Sequence, residues 1–208
     1  MKKLISFVLG VVLMVCLVPC VFAAETFSDM HEGVPYFSEV QAAKDEGFVT
    51  GFGDGSFHPN IAITRAELVT ILGKMYCSDV QSAVVSFEDV PTDSYYAPYV
   101  SWVVDKGYLG GWSVKEFMPD AGISVEQLAC LVDNYISKTG ITPTEYTEAE
   151  EYADKAMISA FAESSMELAR KYGIIVANAD GCVHPQAKVT RAEAVAVLMR
   201  LYDACCVG

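Results

Sequence analysis

One ten-residue pattern occurs three times in this chain of 208 residues. It reads "ITRAELVTIL" at 63–72, "ISVEQLACLV" at 123–132 and "VTRAEAVAVL" at 189–198. Three other landmarks recur with it at spacings of 60 and 66 residues: Gly47, Gly107 and Gly173; Pro59, Pro119 and Pro185; Thr64, Ser124 and Thr190. Matching spacings at separate landmarks indicate an internal repeat, so the fold must be built from three similar units.

Each unit predicts a helix, a turn and a second helix. The first helix ends near the aligned glycine, which accepts a positive φ. A turn-rich stretch follows, "GFGDGSFHPN" in the first unit. The second helix carries apolar residues at i, i+3, i+4 and i+7, so it buries one face. We therefore expect an all-α fold in which three helix-turn-helix repeats form a pseudo-threefold bundle with intervening loops, the second helices packing at its centre.

The chain divides into five segments on this basis. They are a signal peptide at 1–23, a first repeat at 25–80, a degenerate second repeat at 85–138, an acidic linker at 139–151 and a third repeat at 152–206. A unit of about 50 residues buries little surface alone. We therefore expect neighbouring repeats to complete one another's core.

The first 23 residues have the composition of a secretory signal peptide. Lys2 and Lys3 precede an uncharged apolar run at 4–18, and small residues follow, so we expect cleavage after Ala23. Two alternatives are an uncleaved membrane anchor, given the length of the apolar stretch, and a lipoprotein site at Cys20. The signal predicts an exported protein that does not contact the membrane once the leader is removed.

The chain is strongly acidic. It has 27 acidic and 14 basic residues and a net charge of −13, and removal of Lys2 and Lys3 makes the charge more negative still. Nucleic-acid binding depends on basic contacts to phosphate, so this composition argues against nucleic acid and anionic lipid as partners. An acidic ligand would need a local cluster of positive side chains that works against the overall field.

No metal or cofactor site is expected. The five cysteines after the leader show no CxxC spacing and no companion histidines, and their pairing stays open. Asp54 and Asp180 lack the D-x-D-x-D spacing of a calcium loop. The sequence contains no nucleophile elbow or metalloenzyme motif, so it does not predict an enzyme.

The recurring string contains a capping box at the start of each second helix. The hydroxyl side chain accepts a hydrogen bond from the amide three residues on, and the acid or amide side chain there reaches back. The three pairs are Thr64 with Glu67, Ser124 with Gln127, and Thr190 with Glu193. Each cap is worth about 1 kcal/mol, so most of the string is architectural.

The arginine in two copies of the string is not explained by the cap. Arg65 and Arg191 stand at the first helical position, where the second copy has Val125. A cation is mildly unfavourable there, because the helix dipole places partial positive charge at this end. One hypothesis is that each arginine, with the free helix-start amides, binds a carboxylate or phosphate of a ligand in a groove. The alternative is that each pairs with a nearby acid, such as Asp54 or Asp180, and holds the preceding loop.

Together these residues resemble the S-layer homology domain. The resemblance rests on the "FSDM" and "FEDV" starts, the aromatic residues that open the first helix, the glycine stop, the "GFGDGSFHPN" loop and the "TRAE" cap. It covers nearly all of the chain after the leader. It implies a three-pronged pseudo-trimer that binds cell-wall polysaccharide non-covalently, often through polymers that bear pyruvate ketals. The implied ligand is a glycan with carboxylate groups.

The second repeat departs from the family pattern. The loop "GGWSVKEF" replaces the Asp-Gly loop, and Val125 replaces the arginine. Where the family often has tryptophan, the chain has Pro35 with Tyr36 and Phe37, then Tyr95, then Phe161. These aromatic side chains either stack on sugar or pack in the core. The candidate ligand-binding residues are Arg65, Asp54 and Gly55 in the first repeat, and Arg191, Asp180 and Gly181 in the third.

The sequence thus predicts a non-catalytic anchoring protein of the bacterial cell wall or surface layer. Its expected ligand is an acidic, pyruvylated secondary cell-wall polysaccharide held in grooves between repeats, with other surface-layer or cell-surface proteins as further candidate partners. The alternative is a helical-repeat scaffold that binds a protein partner at the cell surface.

Overall fold

The computed structural model describes residues 26–77, 87–110, 115–143 and 150–206. The predicted signal peptide, residues 144–149 of the predicted linker and residues 111–114 of the second-repeat loop lie outside these ranges. The described part of the chain forms six α-helices and a short 3₁₀ helix. They are α1 (Phe37–Asp45), α2 (Arg65–Tyr76), α3 (Ala97–Asp105), α4 (Val125–Thr139), the 3₁₀ helix (Lys155–Met157), α5 (Glu163–Lys171) and α6 (Arg191–Cys206).

The all-α fold predicted from the sequence is confirmed. Within the described ranges, β-type backbone pairing consists of isolated bridges and forms no strands. These bridges join the segments that precede the three second helices: Ala62 with Thr190, Thr64 with Gly122, and Ser124 with Lys188. Each of the three segments therefore touches the other two around a pseudo-threefold axis.

Each first helix packs on the second helix of the preceding repeat. The contacts join α3 to α2, α5 to α4, and α1 to α6, which brings the first repeat against the third. Gly73 on α2 permits a close approach, since a Cβ at that position would lie 2.3 Å from the Tyr99 ring on α3. The repeats therefore form a closed ring, and the core of each is completed by its neighbour.

The second helices also meet one another, as expected from their apolar faces. α2 contacts α6 directly. At the far end of the bundle, the centroid of the Tyr76 ring lies 4.4 Å from that of Tyr135 and 5.9 Å from that of Tyr202. One aromatic side chain from each second helix thus joins the three repeats at the end of the bundle opposite the helix starts.

The start of each second helix is held by the loop of the next repeat. Its first two amides donate to two carbonyls of that loop, one of them the repeated proline. The bonds run from Arg65 to Ala121 (2.9 Å), Ala66 to Pro119 (3.0 Å), Val125 to Ala187 (3.2 Å), Glu126 to Pro185 (3.0 Å), Arg191 to Ile61 (2.8 Å) and Ala192 to Pro59 (3.1 Å). The third amide donates to the cap hydroxyl, in the pairs Glu67 to Thr64, Gln127 to Ser124 and Glu193 to Thr190. Amides that a helix start usually leaves without a backbone partner are therefore satisfied.

An aspartate near the start of each repeat holds the loop in place. Asp29 accepts hydrogen bonds from the amides of Phe57 and His58, both at 2.7 Å. Asp89 and Asp154 accept the equivalent pairs in the second and third repeats. Two charge-assisted bonds to one carboxylate are strong, and they fix a loop in which His58 has a positive φ of 57°.

Asp29→Ala is expected to lower the free energy of unfolding by about 2–4 kcal/mol, because the amide of buried Phe57 loses its acceptor. The measurement is equilibrium unfolding in urea. Asp93→Ala serves as the control, since it removes the same charge from an exposed turn. A loss no larger than that of the control would contradict the role of Asp29.

A fragment made of residues 87–206 is expected to lack cooperative structure. Removal of the first repeat deprives α6 of α1 and α3 of α2, so two of the three helix pairs are lost. Far-UV circular dichroism and the urea dependence of the fragment check this expectation. A sharp unfolding transition in the isolated fragment would show that the ring need not be closed.

Candidate functional site

Arg191 lies in a groove to which all three repeats contribute. Only 6% of the residue is exposed. Its guanidinium donates from Nε to the Phe57 carbonyl (3.0 Å), from Nη2 to the Thr50 carbonyl (3.0 Å) and from Nη1 to Oε1 of Glu67 (2.9 Å). All three acceptors belong to the first repeat, so this side chain joins the third repeat to the first.

Aromatic rings cover the Arg191 guanidinium. Its central carbon lies 4.7 Å from the centroid of the Phe57 ring and 5.0 Å from that of Phe52, a cation–π arrangement. Burial lowers the pKa of Arg191, and the carboxylate of Glu67 opposes that shift. Arginine does not deprotonate in proteins at ordinary pH, so the groove contains a fixed positive charge.

Arg65 occupies the equivalent position against the second repeat. It is 8% exposed, and its guanidinium carbon lies 5.3 Å from the centroid of the Phe117 ring. Burial lowers its pKa to about 10, and Asp89 opposes the shift. Both arginines therefore remain charged at neutral pH.

The structure assigns each arginine to the loop of the neighbouring repeat rather than to its own. The acid beside Arg191 is Glu67 of the capping box. Asp54 instead accepts a hydrogen bond from the Ser56 amide (2.9 Å), and Asp180 accepts one from the Cys182 amide (2.9 Å). The pKa of Asp54 is lowered by a hydrogen bond from the Ser56 hydroxyl and then by the Ser56 amide, and the pKa of Asp180 is lowered by the Cys182 amide. Both aspartates therefore shape their own loops.

The free helix-start amides of the anion-binding hypothesis do not exist in the fold. The Arg191 amide donates to Ile61 and the Ala192 amide to Pro59. Sequence reasoning could not detect this, because the acceptors are carbonyls that any residue type would supply. The side chains, and not the helix amides, are therefore the part of this end that can meet a ligand.

We call the cleft around Arg191 the Arg191 groove. It has a volume of about 180 Å³, and its walls include Thr50, Phe52, Glu67, Lys74, Tyr95 and Arg191. Asp54 and Gly55 do not line this groove but stand at the tip of the loop that forms one wall. The Gly55 amide donates to the Phe52 carbonyl (3.0 Å), and the Phe52 amide donates to the Ser56 carbonyl (2.8 Å). This loop geometry positions Phe52 beside Arg191.

Lys74 and Thr50 are groove residues that the sequence analysis did not identify. Lys74 stands on α2, two turns beyond Glu67, and is half-buried. The repeat spacing aligns it with Asn134 and Arg200, a position at which the three copies differ. Such variation at an aligned half-buried position is the signal that could have singled it out.

The third-repeat loop residues lie by another cavity. Asp180 and Gly181 border a cleft of about 500 Å³ with Tyr152 and Arg170. Gly181 has a φ of 79°, and its carbonyl accepts a hydrogen bond from the Ala153 amide at 2.8 Å. Asp180 and Arg191 are therefore not brought together in one groove.

The sequence profile of the S-layer homology domain matches three segments, at residues 26–69, 86–129 and 151–195. The chain belongs to the S-layer homology family. The matched segments follow the three structural repeats, and each ends inside the second helix of its repeat. S-layer homology domains are cell-wall-binding modules, so the grooves between these repeats are the natural candidates for a wall-polymer site.

Similar proteins include surface-layer and anchoring proteins as well as enzymes. The chain is 28% identical over 191 residues to the surface-layer 125 kDa protein of Lysinibacillus sphaericus, covering 90% of this chain and 16% of that protein. It is 27% identical over 185 residues to a cellulosome-anchoring protein of Acetivibrio thermocellus, covering 85% of this chain and 39% of that protein. It is also 25% identical to an endoglucanase of a Bacillus species, covering 84% of this chain and 18% of the enzyme. The chain thus spans well under half of each relative, in the manner of a shared module.

Family membership and these relatives establish where the protein acts. It is an exported protein of the bacterial cell wall or surface layer. Across the four described ranges, no helix is both long and apolar enough to cross a membrane. The same ranges contain no cluster of three or more His, Cys, Asp or Glu side chains that could hold a metal ion.

Glu67 and Glu193 are equivalent capping acids of two S-layer homology repeats, and Glu67 is the one that forms an ion pair with Arg191. The same substitution at each position measures what that ion pair contributes. Glu67→Gln is expected to cost about 2 kcal/mol at pH 7, because buried Arg191 loses its anionic partner. Burial raises the pKa of Glu193 above its ordinary value of 4.5, so ionisation of Glu193 costs stability as the pH rises through that range. Glu193→Gln should therefore gain stability relative to the unmodified protein between pH 4 and pH 7.

Urea unfolding at pH 4, 5.5 and 7 measures both effects. Gln127 occupies the same capping position in the second repeat, so glutamine preserves the cap in either variant. A Glu193→Gln variant that loses relative stability as the pH rises would contradict the assigned pKa direction.

Proposed function

We propose that this protein is a non-catalytic cell-wall anchor that binds an acidic secondary cell-wall polysaccharide, and that the Arg191 groove holds a carboxylate of that glycan. The observation that carries the proposal is the charge of the groove. Lys74 and Arg191 outnumber Glu67 along its walls, in a chain whose net charge is −13. A positive groove on such a protein concentrates anions locally against the overall field.

Arg191 is oriented for this role by the protein itself. A guanidinium has five N–H donors, and three of them bond to Phe57, Thr50 and Glu67. Two donors, one on each terminal nitrogen, are left for a ligand in the groove. Because the side chain is held before the ligand arrives, binding costs little rotamer entropy.

Lys74 supplies a second positive charge. It lines the same groove, and among the described residues no carboxylate lies within ion-pairing distance of its ammonium. A flexible ammonium next to a fixed guanidinium suits a carboxylate that projects from a sugar ring. The pyruvate ketal that the family resemblance suggests is such a group.

Tyr95 and Phe52 provide apolar faces for the sugar itself. Tyr95 belongs to the second repeat and is 64% exposed at the rim of the groove, while Phe52 is 39% exposed beside Arg191. Exposed aromatic rings beside polar anchors are typical of ligand sites. We assign Tyr95 to stacking against the ring that bears the carboxylate.

The other predicted site residues have supporting roles in this proposal. Arg65 forms a second anion-binding subsite against the loop of the second repeat. In the repeat alignment, Phe161 occupies the position there that Tyr95 has in the Arg191 groove. Asp54 with Gly55, and Asp180 with Gly181, set the shape of the loops and do not contact ligand. Other surface proteins are secondary partners, in keeping with the anchoring and surface-layer proteins that this chain resembles.

Lys74→Met is expected to weaken binding to the host wall about tenfold, the value of one lost charge-assisted contact. The assay is co-sedimentation with purified cell-wall sacculi, before and after chemical removal of the secondary polymer. Arg191→Lys tests the fixed guanidinium in the same assay, since lysine keeps the charge but cannot bond to three acceptors in one plane.

Lys106→Met is the matched control, because it removes one exposed lysine outside the groove. Unfolding in urea, measured in parallel, separates lost binding from lost folding. Pelleting that survives both polymer removal and Lys74→Met would overturn the proposal and favour a scaffold that binds a protein partner.

A further inference from the structure

The groove that faces the third repeat is built differently from the Arg191 groove. We call it the Val125 groove; its main walls are Tyr36, Asn60, Val125, Asn178, Thr190 and Glu193. The repeat spacing places Val125 where the other two second helices begin with Arg65 and Arg191. Its volume is about 330 Å³, against about 180 Å³ for the Arg191 groove. Loss of the arginine side chain leaves room for a larger group.

The carboxylate in the Val125 groove lacks the partner that its counterpart has. Oε1 of Glu67 holds the Arg191 guanidinium at 2.9 Å. Glu193, at the same place in the third repeat, accepts its capping bond from the Thr190 amide at 3.4 Å and, within the described part of the chain, has no ion pair to a guanidinium. Burial raises the pKa of Glu193, while the capping bond and the charges of Arg200 and His184 oppose the shift. The acid therefore presents an acceptor to the groove without a guanidinium against it.

Arg200, whose charge acts on Glu193, is hydrogen-bonded to a different carboxylate. Arg200 occupies the position of Lys74 in the repeat alignment. It donates to Oε1 of Glu39 at 3.4 Å, and its guanidinium carbon lies 5.8 Å from the centroid of the Tyr36 ring. The exposed polar side chains of the groove lining are the amides of Asn60 and Asn178 and the imidazole of His184, whose Nε2 lies 3.4 Å from Oδ2 of Asp180.

We propose that the Val125 groove binds an uncharged sugar residue, so that the protein holds neutral and acidic sugars in separate grooves. Hydroxyl and acetamido groups match the Glu193 carboxylate and the side-chain amides of Asn60 and Asn178, each of which can donate and accept. A ligand carboxylate would meet Glu193 with no arginine between them, and like charges at close range repel. Tyr36 gives the sugar an aromatic face. The inference rests on the proposed function only in that both ligands come from wall glycan.

The experiment uses ¹⁵N-labelled protein and two simple probes. N-acetylglucosamine represents an uncharged sugar and glucuronic acid represents an acidic one. N-acetylglucosamine is expected to shift the backbone amides of Asn178, Thr190 and Glu193. Glucuronic acid is expected to shift those of Thr50 and Phe52 in the Arg191 groove.

Val125→Arg is the decisive variant, because it introduces the arginine with which the other two second helices begin. The new guanidinium should pair with Glu193, fill the groove and weaken N-acetylglucosamine binding about tenfold or more. Val104→Arg adds the same charge at an exposed site on α3 and should leave the titration unchanged. Val125→Ala keeps the groove neutral without adding bulk and should retain binding, which guards against a misfolded Val125→Arg protein.

Three results would overturn the inference. They are shifts by N-acetylglucosamine centred on the Arg191 groove, titrations unaltered by Val125→Arg in a folded protein, and no shift by the neutral probe in either groove. Failure of the proposed function gives a different pattern, in which glucuronic acid fails to shift Thr50 and Phe52 while the neutral probe still shifts Asn178.

Discussion

Six hydrogen bonds between the starts of the second helices and the carbonyls of neighbouring loops set the geometry of this protein. An α-helix leaves its first amides without partners, and here each repeat satisfies those of the repeat before it. The first helix of each repeat packs on the same neighbour. Each repeat thus bonds to and packs on the repeat before it, and the first repeat does the same with the third. The helix-start amides of the third repeat therefore find their acceptors only when the ring closes. Closure of the ring is therefore a requirement of hydrogen bonding as much as of apolar burial.

The same interlock explains why a cation can stand at a helix start. Because the Arg191 amide is already bonded to Ile61, the side chain reaches past the helix end to carbonyls, to Glu67 and to the faces of two phenylalanines. An arginine begins a second helix where the facing loop supplies a phenylalanine, as with Arg191 and Phe57 and with Arg65 and Phe117. Where the alignment replaces Phe57 with Val183 and Phe52 with Asn178, the helix that faces them begins with Val125. The arginine and the acid that orients it thus act as one unit with the loop, and that acid is Glu67 rather than the Asp54 or Asp180 considered from the sequence.

Sequence periodicity was sufficient to predict the fold class, because apolar stripes, glycine stops and cap residues are local signals. The same signals do not predict which first helix packs on which second helix. The equivalent apolar stripes of α2, α4 and α6 are compatible with several ways of pairing first and second helices. The choice depends on carbonyl acceptors and on close contacts such as that of Gly73 with Tyr99. Asp29 illustrates the same limit, since its repetition is visible but the two amides it binds are 28 and 29 residues away. The cap residues do not account for the arginines, and Arg191 in fact bonds to the loop of the first repeat. Lys74 becomes a candidate only when a groove brings it near Arg191.

The proposed ligand binding would depend on ring closure. The Arg191 groove has walls from all three repeats, with Glu67 from the first, Tyr95 from the second and Arg191 from the third. Such a site exists only in the closed ring, so a ligand that occupies it stabilises the ring by mass action. The repeats are free to diverge at their groove positions because the backbone interlock does not depend on those side chains, as Val125 shows by making the same amide bond as Arg191. One backbone frame can therefore present chemically different grooves around a single axis, and a heterogeneous wall polymer is the kind of ligand for which that difference has a use.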